Sequence, residues 1–371
     1  MKDSLLRRYL LPGLIFQSAV IAGGYGTGRE IVEFFLSIGP IPGVVAMLAV
    51  SAVIWSAVAA VSYEFARQFH TYDYRSFFKR LLGPGWVLFE ACYILLMLLV
   101  LAVIGAAAGA IAEATFGLPY SVGVLAAMSL VGLLVFFGSG AIERVLSVWS
   151  FVLYGVYILL VVWSIARFGG PIAAGFRESR LEGPWLLNGI RYAGYNLSAC
   201  VVVLFAVRHL RSRREAIGAG ILTGVIGILP ALFLYVAMVG QYPEIVDRAV
   251  PANVLLEALG SRTFQIVFQI VLFGTLIETG TGMIHAVNER IAATRRERGG
   301  ELARWVRPAV AGVTLLLALA LTPLGLVDLI ARGYGTLTWG FFLFYILPVL
   351  TIGVWMLWRG ETLAGGPAPS D

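Results

Sequence analysis

The stretch GGYGTGRE, Gly23 to Glu30, decides how the rest of the chain is read. An apolar run, YLLPGLIFQSAVIA, precedes it, and a second, IVEFFLSIG, follows it. Leu10 to Ile38 spans 29 residues, about 43 Å as one straight helix against a hydrocarbon core of ~30 Å. Tilt absorbs part of that excess. Glycine costs a helix roughly 1 kcal/mol relative to alanine, and Gly23, Gly24, Gly26 and Gly28 fall within six residues. The pattern favours an unwound joint inside a membrane helix. Unwound backbone at that depth survives only where it is buried in protein or lines a polar cavity. The competing explanation is close helix packing, because Gly24 and Gly28 form a small-xxx-small pair. GAAAG at Gly105–Gly109 reads as that kind of pair. Thr27, Arg29 and Glu30 are what packing leaves unexplained. The stretch does not match G-x-G-x-x-G, so no nucleotide loop is indicated.

Composition sets the class. The 371 residues are 59% hydrophobic and 13% charged, with mean hydropathy +0.88, whereas soluble domains are about a quarter charged. Apolar runs of about 20 residues recur along the whole length, which predicts an all-α polytopic membrane protein. A membrane β-barrel would show ~10-residue alternating segments instead. Ten spans are predicted, at 10–38, 42–63, 85–114, 119–138, 142–166, 185–209, 215–240, 262–290, 306–322 and 336–358. They form a single transmembrane domain over 1–371, with a disordered tail at 359–371. Ten crossings put both termini on one side. With residues at the approximate span ends (Arg144, Arg208, Arg262, Arg290, Arg307) counted in the adjoining loops, 19 of the 27 Lys and Arg lie at the termini and on even-numbered loops, six on odd-numbered loops (Arg167, Arg177, Arg180, Arg248, Arg262, Arg332), and two well inside spans (Arg29, Arg191). The positive-inside rule makes the termini cytoplasmic.

The net charge of +6 thus belongs to membrane loops, with the lipid bilayer as partner and no nucleic acid. The clusters RHLRSRRE and RRERGGELARWVR read as topology anchors before lipid or protein sites. Lys2, Arg7, Arg8 and the first apolar run also imitate a signal peptide. Removing them would leave nine spans and spoil the charge asymmetry. Cys92 and Cys200 both lie in apolar runs and read as packing residues.

A second interrupted span strengthens the first. PWLLNGIRYAGYNLSACVVVLFAVRHL crowds Asn188, Gly189, Arg191, Gly194, Tyr195, Asn196 and Ser198 into its first half. Spans one and six correspond if the chain is two halves of five, about 10–166 and 185–358, and an odd number makes the second half inverted. Interrupted helices at matching positions of an inverted repeat are the best sequence pointer to a transporter's central site.

The pattern resembles the LeuT-fold transporters of the amino acid–polyamine–cation superfamily. More closely, GGYGTGREIVEFF, RYAGYNLSA in span six, and ETGTG followed by NER in span eight resemble the uncharacterised bacterial YkvI-like membrane proteins. The resemblance covers essentially the whole chain. It departs from the pattern expected of that fold at Arg29 and Glu278. It implies a bacterial cytoplasmic-membrane location and a substrate site at Gly24, Tyr25, Gly26, Thr27 and Gly28, faced by Tyr195, Asn196 and Ser198. It also implies a sodium ion between first-span carbonyls near Gly23 and span-eight oxygens, with no other cofactor. Thr275, Glu278 and Thr279 share one helix face by their spacing. Each threonine has the alternative of bonding its own i−4 carbonyl. Glu278, near mid-span, is either a functional carboxylate or one half of a structural pair.

The remaining charges read as a gate. Arg29 and Glu33 are spaced i, i+4 and pair with each other, or Arg29 meets Asp328 and Arg191 meets Glu33. TGRE is also a capping box, with Thr27 as N-cap and Glu30 reaching back to the Thr27 N–H. Otherwise Glu30 faces the substrate and meets an amine. The function expected is cation-coupled transport of a small amino-acid-like or amine solute by alternating access, with sodium ahead of protons. A non-transporting sensor or scaffold is the alternative, though no output domain is evident. No H-E-x-x-H, G-x-S-x-G or intramembrane Asp pair indicates an enzyme. A transition-metal transporter would want more soft or imidazole ligands than these.

Overall fold

Long apolar helices dominate because a chain in hydrocarbon must satisfy every backbone N–H and C=O internally. The computed structural model describes residues 8–21, 23–137, 142–297 and 305–360. The 361–371 part of the expected tail, together with Lys2 and Arg7, lies outside them. No strand occurs among the described residues. By length and hydropathy, six helical stretches among those residues are able to cross a membrane, or seven if one bent pair is a single span. Leu11–Val20 and Tyr120–Phe136 are shorter apolar helices.

The stretches map onto the predicted spans with informative differences. Val306–Arg359 is 54 residues long, about 81 Å as helix, more than twice the core thickness. It is interrupted by a 3₁₀ turn at Thr322–Leu324 and by Gly325 at φ 79°, and so supplies spans nine and ten. Tyr74–Phe116 is divided at Gly83, φ 57°. A short helix, Tyr74–Leu82, capped by Asp73 accepting from the Ser76 N–H, precedes span three at Trp86–Phe116. Span five runs on from Ile142 to Glu178, past the predicted end at 166, with a kink at Phe168. The loop after span seven carries a helix the sequence pattern did not suggest, Pro251–Ala258.

Both predicted breaks are present. Span one comprises Leu11–Val20, a single turn at Gly23–Gly26, and Arg29–Phe34. Span six comprises Trp185–Asn196 and Ala199–Val207, bent by 54°. The glycines of span six, Gly189 and Gly194, serve helix packing. A Cβ on Gly189 would strike Val50 and the Ala46 carbonyl, and one on Gly194 would strike Thr338. They let spans two and ten press against span six, while the bend itself falls at Leu197–Ser198.

Spans two (Pro40–Phe69) and seven (Arg213–Val239) make the tightest seam. Gly220 lies on the Ala59–Ala60 backbone, and Gly224 on Ser56 and the Ala52 carbonyl. One groove is lined by Glu64, Arg213 and Trp358, and Arg8 pairs with Glu215 at 2.9 Å. The N-terminal segment, the end of span two, the start of span seven and the end of span ten therefore share one face. Cys200 is buried, Cys92 is half-buried, and both are free thiols.

The seam predicts the sign of two substitutions. Gly220→Val should lower the melting midpoint of the detergent-purified protein, by an overpacking cost of roughly 1–3 kcal/mol. Gly312→Ala, where a Cβ meets nothing within 4 Å, should leave it unchanged or raise it. A thermal-unfolding scan of the two variants beside the parent checks both.

Candidate functional site

The break in span one exposes backbone, so the destination of each carbonyl matters. Thr27 Oγ1 donates to the Gly24 carbonyl at 3.0 Å, and the Gly28 N–H to that of Tyr25 at 2.9 Å. Tyr157 Oη, from span five, donates to the Gly26 carbonyl at 2.7 Å. The Ala252 N–H, at the start of the loop helix, donates to the Thr27 carbonyl at 3.0 Å. The Val32 N–H closes the set on Gly28 at 3.0 Å. Five successive carbonyls are thus satisfied by span one itself, by span five and by the loop helix, and each keeps a second lone pair.

The capping box is not formed. The residue preceding the helix Arg29–Phe34 is Gly28, in the left-handed region at φ 79°, a conformation that costs a side-chain-bearing residue ~1–2 kcal/mol. Thr27 Oγ1 accepts weakly from the Arg29 N–H, at 3.4 Å. Glu30 turns inward instead of back to the Thr27 N–H. Its Oε2 accepts from Tyr195 Oη at 2.6 Å, and its carboxylate from the Tyr25 N–H. A Cβ on Gly24 would collide with that carboxylate, so Gly24 is bare because Glu30 folds over it.

Glu30 is 2% exposed and Arg29 is 4% exposed, yet the two neighbours do not neutralise each other. The Arg29 guanidinium bonds Glu33 at 2.6 Å and the Val246 and Arg248 carbonyls at 2.7 and 3.1 Å. The i, i+4 alternative is therefore realised and the Arg29–Asp328 gate is not. Asp328 pairs with Arg332 at 3.3 Å on the exposed surface. Nor does Arg191 reach Glu33. Its guanidinium lies over Gly335, and its buried Nε has no hydrogen-bond partner among the described residues.

Span six brings Tyr195 against Glu30. Asn196 turns its amide to the Tyr192 carbonyl, at 3.0 Å, inside its own helix. The Ser198 N–H donates to the Tyr195 carbonyl at the bend, at 3.2 Å. Aromatic rings wall this region. Tyr195 stacks on Tyr334 at 4.5 Å and meets Phe34 at 5.7 Å, and Tyr192 packs against Phe35 and Trp55 at 4.6 and 5.5 Å. The Tyr192 hydroxyl is buried with no partner among the described residues. Tyr157, Tyr192, Tyr334 and the loop at 246–252 escaped the sequence reading. Only their amphipathic chemistry inside apolar runs hinted at them.

Span eight, Arg262–Glu297, packs on the break, and a Cβ on Gly26 would strike Leu272. Thr275 and Thr279 donate to their own i−4 carbonyls, Val271 and Thr275, at 3.0 Å each. This is the alternative their spacing allowed, and their oxygens keep lone pairs free. Glu278, on the same face, is half-buried. Among the described residues, no three His, Cys, Asp or Glu side chains come together as a metal cluster.

No family model matches the chain. It is 24% identical over 286 residues to the uncharacterised membrane protein YkvI of Bacillus subtilis, covering 75% of this chain and 79% of that one. It is similar in structure to a point mutant of the manganese transporter of Eremococcus coleocola, with TM-score 0.60, 16% identity, and 93% and 78% of the two chains covered. It is similar also to MhsT solved with L-phenylalanine, with TM-score 0.61, 14% identity, and 95% and 97% covered. The chain shares the LeuT-type fold of these structures, which are transporters rather than enzymes.

Arg29 ties the 241–250 loop to the break, which gives a direct check. Arg29→Gln should speed amide hydrogen exchange at 243–250 at least tenfold, with Glu33→Gln intermediate because the two loop carbonyls keep their donor.

Proposed function

We propose that the chain is a secondary transporter of a small amino-acid-like or amine solute, coupled to a cation, with sodium ahead of protons. One observation carries this reading. A carboxylate, Glu30, lies buried where the breaks of spans one and six meet, and it is held by a hydroxyl and a backbone N–H rather than by a cation. An ionised carboxylate without a cationic partner is costly at membrane depth. An amine from the solute supplies that partner, and the aromatic rings of Phe34, Tyr195 and Tyr334 favour a cation beside them. Arg191 Nε and Tyr192 Oη are two further polar groups awaiting partners, which suits a solute that also carries a carboxylate. A structural neighbour holding L-phenylalanine supports an amino acid as the solute class. The Gly23 carbonyl with Thr275, Glu278 and Thr279 is the proposed cation site. Positive-inside asymmetry supports cytoplasmic termini.

Thermal stabilisation of the purified protein against amino acids, amines and simple carboxylates, with and without sodium and across pH, tests the reading, since a specific ligand raises apparent stability by mass action. Amine-bearing solutes should stabilise and carboxylates without an amine should not. Glu30→Gln should weaken the amine-bearing ligand more than tenfold, about 1.4 kcal/mol. Tight binding of a dicarboxylate that is indifferent to Glu30 and lost on neutralising Arg29 overturns the proposal. For the cation, Glu278→Gln should abolish or alter the sodium or proton dependence of uptake in proteoliposomes while the protein stays folded. An unchanged ion dependence assigns Glu278 a structural role.

A further inference from the structure

Away from the central site, a groove of about 790 Å³ opens on the membrane-facing surface where spans two, seven and ten meet. Its wall is apolar and includes Ala57, Val61, Ile221, Val225 and Leu350. It follows span seven from Arg213 to Val225, a helical rise of ~18 Å, about one leaflet deep. Ala52, Ser56 and Ala60 of span two also line it, the small residues against which Gly220 and Gly224 pack, and their size leaves the surface recessed. Trp358, 84% exposed, stands at the end of the groove, a placement typical of the headgroup level.

The charge at that end is one-sided. Arg213 and Arg214 both line a depression continuous with the groove, together with Ile217, Gly218 and Ile221. Both arginines are exposed, and neither has an ion pair among the described residues. The acidic groups nearby are already engaged. Glu64, in the groove wall, is held by Arg67 through two bonds of 2.8 and 2.7 Å. Glu215 accepts from Arg8 at 2.9 Å and from the Arg211 N–H at 2.8 Å. Two planar guanidinium groups without counter-ions among the described residues, above a leaflet-deep apolar channel, match a phosphodiester with acyl chains below it.

We propose that this groove is a binding site for one anionic phospholipid, its headgroup on Arg213 and Arg214 and an acyl chain along span seven past Ala57 and Val225. The lipid lies over the seam between spans two and seven, beside the Arg8–Glu215 pair that anchors the N-terminal segment. The site is independent of the solute and stands whether or not the central site carries an amine.

Native mass spectrometry of the detergent-purified full chain, titrated with dioleoylphosphatidylglycerol or dioleoylphosphatidylcholine, tests it, because the two lipids share their chains and differ in headgroup. The anionic lipid should bind about tenfold more tightly, in line with the attraction of two surface arginines. Arg213→Gln with Arg214→Gln should erase that difference. Ala57→Trp, which fills the channel, should weaken the first-bound copy of both lipids. Lys79→Gln with Arg80→Gln removes equal charge outside the groove and should leave the preference intact. Equal binding of the two lipids by the parent overturns the proposal. So does a preference that survives the Arg213/Arg214 change, or one lost equally in the Lys79/Arg80 control. A melting scan of each variant separates loss of binding from loss of fold.

Discussion

The structure depends on satisfying the carbonyls of Gly24 to Gly28 inside a membrane. Once the helix unwinds there, its carbonyls lose their intrahelical partners in a medium without water, and each unpaired group costs several kcal/mol. The donors come from Thr27 itself, from Tyr157 in span five and from the Ala252 N–H in the loop after span seven. Elements far apart in sequence are thereby bolted to one short segment. Span eight presses on the same segment through Leu272. The broken helix is one of the places at which the two halves of the sequence meet, beside the seam of spans two and seven.

The same constraint sorts two adjacent charges. Arg29 and Glu30 are consecutive, and consecutive residues on a helix point about 100° apart. Arg29 therefore turns toward Glu33 and the 246–248 carbonyls, while Glu30 turns into the protein toward Tyr195. The left-handed Gly28 sets the phase of this helix. Arg29 is thus employed in holding a loop, while the buried Glu30 carboxylate is held by a hydroxyl and has no cationic partner among the described residues. Phe34 and Tyr334 pack around Tyr195, and burial of this kind strengthens any electrostatic interaction of the carboxylate.

The opposite end of the molecule follows a simpler rule. Where spans two and seven cross, glycine and alanine bring backbones together, and two hydrogen bonds join the helices there, from Ser56 Oγ to the Ile221 carbonyl at 3.0 Å and between the Tyr63 and Thr223 hydroxyls at 3.2 Å. The recess that results faces lipid. Its charge is concentrated at one end because Arg213 and Arg214 stand at the start of span seven.

Composition and periodicity were enough to determine the helical membrane class. Most of the span positions could be read from apolar length alone, and the two breaks from glycines beside polar residues, because hydrocarbon thickness and helix propensity act locally. The i, i+4 pairing of Arg29 with Glu33 was legible for the same reason. The partners of the break were not. Tyr157 and Ala252 are more than 100 residues from Gly26 and Thr27, and nothing local distinguishes the one from other apolar-run residues or the other from the rest of its loop. The capping box misled because TGRE has the right spacing in one dimension, whereas the left-handed Gly28 starts the helix one residue later and turns Glu30 away from the Thr27 N–H. Gly189 and Gly194 were legible as part of an interrupted span, but their use as contact points for spans two and ten was not. Which carboxylate is paired with a cation, Glu33 rather than Glu30, was decided only in three dimensions, because it depends on which cation each acidic group can reach, and that is a property of packing rather than of order along the chain.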